Sequence, residues 1–132
     1  MPDEYLVRVI GYIHSVLSDP SEAPKQGAEG APDAWLDLAP YAVPAARGLQ
    51  IGQQLVVISW LHMANRDLLE VHPRDDARNP LTGVFATRSA DRPNPLGLHR
   101  VTIREISGGR LRIGPIEAVD GTPVVDLKIA LD

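Results

Sequence analysis

One short segment of the sequence, residues 83–98, combines arginine, proline and asparagine and reads GVFATRSADRPNPLGL. Its first residues favour a strand, but Pro93 and Pro95 fix the backbone φ angle at alternate positions and disfavour regular structure after it. A stiff loop of this kind holds polar groups outward, and Arg88 and Arg92 could then bind a carboxylate or a phosphate. The alternative is a proline-stiffened corner of a barrel that carries surface arginines.

A second polar segment, residues 120–128, reads DGTPVVDLK. Its Asp-Gly pair is a turn signal, and its Thr-Pro pair opens a strand. Either Val124 and Asp126 or Val125 and Leu127 lie on the inward face of that strand. If Asp126 points inward, it needs a partner. The structural interpretation is that Asp120 only shapes the turn, while Asp126 pairs with an arginine and holds the fold together.

The histidines lack the i, i+3 or i, i+4 spacing of a helical metal site, since they lie at positions 14, 62, 72 and 99. No cysteine is present to complete a thiolate site or to act as a nucleophile. We therefore expect no metal centre. The nucleophile elbow, the phosphate-binding P-loop and the Rossmann glycine fingerprint are also absent, so any cofactor must be bound by another scaffold.

Proline and glycine are frequent: the 132 residues include twelve prolines and eleven glycines. So many turn-forming residues disfavour a helical bundle and favour short strands joined by tight turns. The length fits a single domain over residues 1–132, and 44% hydrophobic residues are enough to build one core.

The charge distribution limits the partners of the protein. A net charge of −4 argues against general binding of polyanions, so a nucleic-acid site must be local. Six arginines lie in residues 74–104 and form either such a site or a solvated face. The N-terminus is acidic, unlike a secretory signal, and no apolar stretch approaches the ~20 residues of a membrane span. We expect a soluble, unprocessed cytoplasmic protein that does not associate with membranes.

Alternating hydrophobic residues predict several short strands. These strands are expected over residues 5–14, 34–38, 55–62, 82–86, 99–106, 110–113 and 122–129. The glycines at 108 and 109 predict a hairpin and Gly11 predicts a bulge, while residues 44–48 favour one helical turn and residues 64–71 a brief helix. Six to eight strands joined in this way predict an all-β barrel or sandwich with long functional loops, of which 18–32 is the longest.

The segments GVFATRSADRPNPLGLHRV and DGTPVVDLK closely resemble the signatures of the TsaA-like family, the tRNA threonylcarbamoyladenosine N6-methyltransferases of the TrmO type. The resemblance extends to IGYIHS at 10–15, to the loop at 25–27, to RGL at 47–49 and to the strand that ends at His62. It implies a small β-barrel that forms a homodimer and binds S-adenosylmethionine without a Rossmann fold.

Carried over position by position, the resemblance implies a cofactor pocket built from loops. Its wall would consist of Lys25, Gln26, Gly27, His62, Met63, Arg88, Leu98, Asp120, Gly121, Thr122 and Pro123. In that pocket Arg88 would pair with the methionyl carboxylate of the cofactor, and Asp120 would attract its ammonium or sulfonium group. Residues Arg78, Arg92 and Asn94 would bind the substrate. Lys25 stands where the family usually has arginine, so a bidentate contact would become a point-charge contact.

The implied reaction moves the sulfonium methyl group of S-adenosylmethionine to N6 of threonylcarbamoyladenosine at position 37 of tRNA, beside the anticodon. This nitrogen resembles that of a urea, so its proton must leave before or during attack. His62 is a candidate for the base, and its alternative role is that of a histidine on the barrel rim. Two other interpretations remain open: a cofactor-binding regulatory or interaction module without tRNA methylation, and a methyltransferase for small molecules.

Overall fold

A computed structural model describes residues 2–19 and 30–131. In chain order the strands are β1 Gly11–His14, β2 Ala34–Leu38, β3 Gln54–Trp60, β4 Glu70–Val71, β5 Thr82–Gly83, β6 Leu96–Ser107, β7 Arg110–Gly114 and β8 Pro123–Ile129. Six of them close an antiparallel barrel in the order β1-β2-β7-β6-β3-β8, and β4 pairs with β5 in a separate two-stranded sheet. The prediction of an all-β barrel is therefore confirmed.

The barrel interior is filled by aliphatic side chains, because inward positions alternate with outward positions along each strand. On β3 the inward residues begin with Leu55 and Val57, and on β6 they include Val101 and Ile103. Burial of each such side chain contributes about 1.5–3 kcal/mol. The buried core consists of Ile13, Ala34, Leu36, Leu55, Val57, Val101, Ile103, Leu111, Ile113, Ile116, Ala118 and Val124.

The predicted hairpin is present between β6 and β7. Ser107 pairs with Arg110, and the two glycines between them form the turn. Gly108 has a φ of 61°, in the left-handed region that favours glycine. The turn therefore requires glycine at position 108, which is one of the two glycines from which the hairpin was predicted.

The first predicted strand is shorter than expected. Residues 5–10 lie outside regular structure, and only Gly11–His14 pair as a strand, with β2 on one side and β8 on the other. The bulge predicted at Gly11 is also wrong, because the register with β2 runs without a shift from Gly11 to His14. Glycine is required there for another reason: a Cβ atom would overlap the carbonyl oxygen of Asp37.

The helix predicted over residues 64–71 is wrong, because this segment consists of turns that lead into β4. The strand predicted over 82–86 stops at Gly83, and Val84–Ala86 form a 3₁₀ turn. Conversely, β6 begins at Leu96 within the segment expected to be irregular. It can begin there because Leu96, Gly97 and Leu98 pair with the end of β3.

Two other 3₁₀ helices cover Pro40–Ala46 and Pro73–Asp75, and the first contains most of the helical turn predicted at 44–48. No helix within residues 2–19 and 30–131 is long and apolar enough to cross a membrane.

Strand β8 presents Val124 to the core and leaves Asp126 half exposed. The register between β3 and β8 shifts next to Ile58, which faces Asp126. The ion-pair partner of Asp126 is Lys128, with 3.4 Å between Nζ and Oδ2. The pairing of Asp126 with an arginine is therefore wrong, and the exposed ion pair with Lys128 contributes little to the stability of the fold.

Candidate functional site

A cleft of about 800 Å³ lies where loops cover one end of β3 and β6. This volume lies within the range of about 300–1,000 Å³ found for small-molecule sites. Four parts of the chain line it: the loop 61–64, the loops between 72 and 92, the start of β6, and residues 117–119 together with Thr122. We refer to this space as the cleft.

The cleft brings together six of the residues that the sequence analysis proposed. They are His62, Met63, Arg88, Arg92, Leu98 and Thr122. His62 and Met63 follow the end of β3, and Leu98 lies on the outward face of β6. Lys25, Gln26 and Gly27 lie outside the described residues.

Several proposed residues do not line the cleft. Asp120 faces a smaller depression of about 320 Å³ together with His14 and Arg112. It accepts a hydrogen bond from the backbone N–H of Ser15 at 3.1 Å, which fixes its side chain on that side. The neighbouring Gly121 and Pro123, and also Arg78 and Asn94, are absent from the cleft lining.

Arg88 is the cleft cation most available to a ligand. Its side chain is exposed and has no hydrogen-bond or ion-pair partner among the described residues. A guanidinium offers five donors in a planar fork that matches a carboxylate or a phosphate. The cleft therefore contains a ready site for an anionic group.

Arg92 has a structural environment that the sequence did not reveal. Its Nε donates to the carbonyl of Ser89 at 2.7 Å, and its Nη2 donates to the carbonyls of Val84 at 2.6 Å and Thr87 at 2.8 Å. These carbonyls belong to the loop after β5, so the guanidinium organises the cleft wall. Its predicted contact with substrate stays a prediction.

We expect Arg92→Ala to lower the free energy of unfolding by about 1–3 kcal/mol, because it removes charge-assisted hydrogen bonds from three part-buried carbonyls. Denaturant unfolding measures this loss. Arg92→Lys is the matched control: it keeps the charge, but its ammonium lacks the planar fork and should restore only part of the stability. An alanine variant as stable as the parent would contradict the structural role.

The other proposed substrate residues make contacts outside the cleft. Arg78 forms a salt bridge with Asp76 at 2.7 Å. The side-chain and backbone hydrogen bonds from Arg78 hold the pKa of the partly exposed Asp76 carboxyl below its usual value. The amide oxygen of Asn94 lies 3.5 Å from a guanidinium nitrogen of Arg66. Their roles in substrate binding stay predictions.

Sequence reasoning missed a buried polar cluster at the floor of the cleft. The Oγ of Ser59 lies 2.7 Å from Nε2 of His99, whose Nδ1 lies 2.6 Å from Oε1 of Glu117. Ser59 and His99 are almost fully buried, and His99 and Glu117 line the cleft. We call these three residues the polar triad.

The polar triad depends on a glycine beside it. Gly97 pairs with Ser59 across the sheet, and a Cβ atom at Gly97 would lie 2.5 Å from the Ser59 Oγ and 2.8 Å from the His99 Nε2. Only glycine leaves room for the hydrogen bond between the two side chains. No group of three or more metal-ligating side chains is placed to hold an ion in the described part of the chain.

Residues 12–131 match the sequence profile of the tRNA-methyltransferase O N-terminal domain family. The chain belongs to this family. The matched range contains every residue that lines the cleft.

Known proteins are similar to the chain in both sequence and structure. A probable S-adenosyl-L-methionine-binding protein of Methanothermobacter thermautotrophicus is 37% identical over 125 residues, which cover 95% of this chain and 89% of that protein. The probable S-adenosyl-L-methionine-binding protein VirR of Rhizobium radiobacter is 33% identical, with coverages of 90% and 67%. The crystal structure of TrmO from Pseudomonas aeruginosa superposes with a TM-score of 0.78 at 30% identity.

The superposition covers 99% of this chain but 56% of the Pseudomonas TrmO chain. This chain therefore spans little more than half of the length of that TrmO chain.

Proposed function

We propose that the protein is an S-adenosylmethionine-dependent methyltransferase that acts on N6 of threonylcarbamoyladenosine at position 37 of tRNA. The observation that carries this proposal is the match of residues 12–131 to the tRNA-methyltransferase O N-terminal domain family, which contains the whole cleft. We also propose that the protein acts in the cytoplasm, because the proposed substrate is a tRNA.

The cleft fits the chemical groups of S-adenosylmethionine. The guanidinium of Arg88, which has no partner among residues 2–19 and 30–131, suits the carboxylate of the methionyl group. The apolar side chains of Met63, Phe85 and Leu98 suit the adenine ring and the aliphatic part of the cofactor. When bound, the cofactor supplies an electrophilic methyl group on sulfur.

The residues of the cleft must align the substrate nitrogen and accept its proton. His62 lines the cleft with an exposed imidazole and remains the candidate for the proton acceptor. Arg92 holds the wall against which the substrate must fit. The family resemblance adds Lys25, Gln26 and Gly27 to the proposed cofactor site, and these three residues lie outside the described part of the chain.

The test uses the purified protein, S-adenosylmethionine with a tritiated methyl group, and tRNA that carries threonylcarbamoyladenosine. We expect label in the tRNA and, after digestion, a nucleoside that is heavier by one methyl group in mass spectrometry. Transfer to the free modified nucleoside but not to tRNA would instead favour a methyltransferase for small molecules. Cofactor binding without any transfer would contradict the proposal.

That last outcome corresponds to the second candidate function, a cofactor-binding regulatory or interaction module. One observation favours it. Similar proteins, such as that of Methanothermobacter thermautotrophicus, are named as S-adenosyl-L-methionine-binding proteins. Calorimetry of cofactor binding together with the transfer assay separates the two functions.

We further propose that the protein is a homodimer in which the second copy covers the apolar rim of the cleft. Met63, Phe85, Leu96 and Leu98 line the cleft and are 58%, 84%, 42% and 48% exposed. Large apolar side chains grouped in this way mark an interaction surface. Since the rim continues into the cofactor site, a second copy would also close that site.

Light scattering at micromolar concentration should give twice the 14.3 kDa mass of the chain. Phe85→Glu should shift the protein to the monomer, because it places a charge in the apolar contact. Tyr5→Glu is the matched control, since Tyr5 is 72% exposed and absent from the cleft lining, and it should leave the mass unchanged. A monomeric parent protein would contradict the proposal.

A further inference from the structure

The polar triad joins the barrel interior to the cleft. Ser59 occupies the inward position of β3 that follows Leu55 and Val57, and His99 occupies the inward position of β6 that precedes Val101. Polar side chains in such positions are costly unless they are hydrogen-bonded. Ser59 and His99 form a hydrogen bond with each other, and His99 forms a second one with Glu117, which lines the cleft.

The geometry fixes the direction of the hydrogen bonds. The hydroxyl proton of the fully buried Ser59 needs an acceptor, and the Nε2 of His99 is its hydrogen-bond partner in the described structure. Nε2 therefore accepts, and Nδ1 carries the ring proton and donates it to Oε1 of Glu117. Ser59 and His99 thus hold the Glu117 carboxylate in one orientation.

Glu117 keeps one oxygen for a ligand. Its Oε1 bonds to His99, and the side chain makes no other hydrogen bond or ion pair among the described residues. No buried side-chain oxygen in that part of the chain lacks a partner, so Oε2 is accessible to solvent, and Glu117 lines the cleft. The floor of the cleft therefore presents a negatively charged acceptor whose orientation is fixed from behind.

The other acidic residues near the cleft have different environments. Asp91 accepts a hydrogen bond from the backbone N–H of Asn65 at 2.8 Å and so fixes a loop. Asp75 is also not free, because it already interacts with another group of the protein. Asp120, which the sequence analysis expected to attract the cationic part of the cofactor, faces the smaller depression. Glu117 is thus the acid that a buried network orients toward the cleft.

We propose that Glu117 binds the α-ammonium group of the methionyl part of S-adenosylmethionine, while Ser59 and His99 act as its positioning residues. The proposal rests on the proposed cofactor. An amino-acid group carries one cation and one anion, and the cleft presents Glu117 for the first and Arg88 for the second. A ligand without these groups gains nothing from this pair.

Calorimetry with three ligands tests the proposal. S-adenosylmethionine and S-adenosylhomocysteine both carry the α-ammonium group, whereas 5′-methylthioadenosine lacks the amino-acid group. Glu117→Gln should weaken binding of the first two by about ten- to a hundredfold and leave binding of the third unchanged. Binding of 5′-methylthioadenosine also reports that the variant is folded.

The matched control is Glu70→Gln, which removes the same charge from β4, outside the cleft lining. It should bind all three ligands like the parent. If Glu117→Gln also binds all three like the parent, or loses all three equally, the assignment to the ammonium is wrong. If only the binding of S-adenosylmethionine is weakened, Glu117 contacts the sulfonium group instead, and this result would contradict the contact with the ammonium group. A parent protein that binds no S-adenosylmethionine would overturn the proposed function itself.

The positioning role predicts a graded series. Ser59→Ala removes the hydroxyl behind His99 and should weaken binding of the amino-acid ligands by about two- to tenfold, with 5′-methylthioadenosine unchanged. Ser59→Thr keeps a hydroxyl and should restore binding. A serine-to-alanine variant with parental affinity for all three ligands would show that Ser59 does not position Glu117.

Discussion

Arg88→Ala is expected to weaken the binding of S-adenosylmethionine by about ten- to a hundredfold. The side chain is exposed in the cleft and has no partner among the described residues, so its donors are available to the methionyl carboxylate. A charge-assisted hydrogen bond of this kind contributes about 1.5–3 kcal/mol. Calorimetry on the purified protein measures the change.

Two variants separate a specific contact at Arg88 from a general effect of charge. Arg88→Lys keeps the charge but loses the planar fork and should recover only part of the affinity. Arg78→Ala removes an arginine that is paired with Asp76 outside the cleft, and it should bind the cofactor like the parent. Equal binding by Arg88→Ala and the parent would remove Arg88 from the site.

The parts of the fold that sequence could predict are those fixed by neighbouring residues. Alternation of apolar side chains predicted β2 with its observed bounds, and it placed Val101 and Ile103 together on the buried face of β6. The paired glycines at 108 and 109 predicted the hairpin, because a tight turn needs their backbone freedom. The barrel followed from these elements together with the family resemblance.

Contacts between distant residues were the parts that sequence could not supply. The sequence of 84–86 predicts a strand, but these residues form a 3₁₀ turn in which the carbonyl of Val84 accepts a hydrogen bond from Arg92, eight residues away. The predicted role of Asp120 depended on the direction of its side chain, which the contact with Ser15 determines. Neither contact has a signature in the local pattern.

The polar triad did leave a signal in the sequence. Ser59 follows Leu55 and Val57 at the spacing of a buried face, and His99 precedes Val101 at the same spacing. A polar residue at such a position must find a partner inside the core. The pattern therefore indicates that the two residues are paired, but only the register of β3 with β6 shows that they meet.

Gly11→Ala is expected to lower the free energy of unfolding by about 3 kcal/mol, near the upper end of the usual range for overpacked sites. The added Cβ would overlap the carbonyl oxygen of Asp37 and would lie 3.1 Å from the Cα of Leu38. Both are backbone atoms of β2, which is held by β1 on one side and by β7 on the other. Neither strand can withdraw without breaking the closed barrel.

Gly83→Ala is the matched control for this prediction. The nearest atom to a Cβ at Gly83 is the carbonyl oxygen of Leu69 at 4.0 Å, and its φ of −59° suits any residue. This variant should be as stable as the parent or more stable by about 0.4–1 kcal/mol, because alanine reduces the entropy of the unfolded chain. Denaturant unfolding of the two variants gives the comparison. Similar stabilities would mean that the close approach of β1 to β2 at Gly11 does not constrain the barrel.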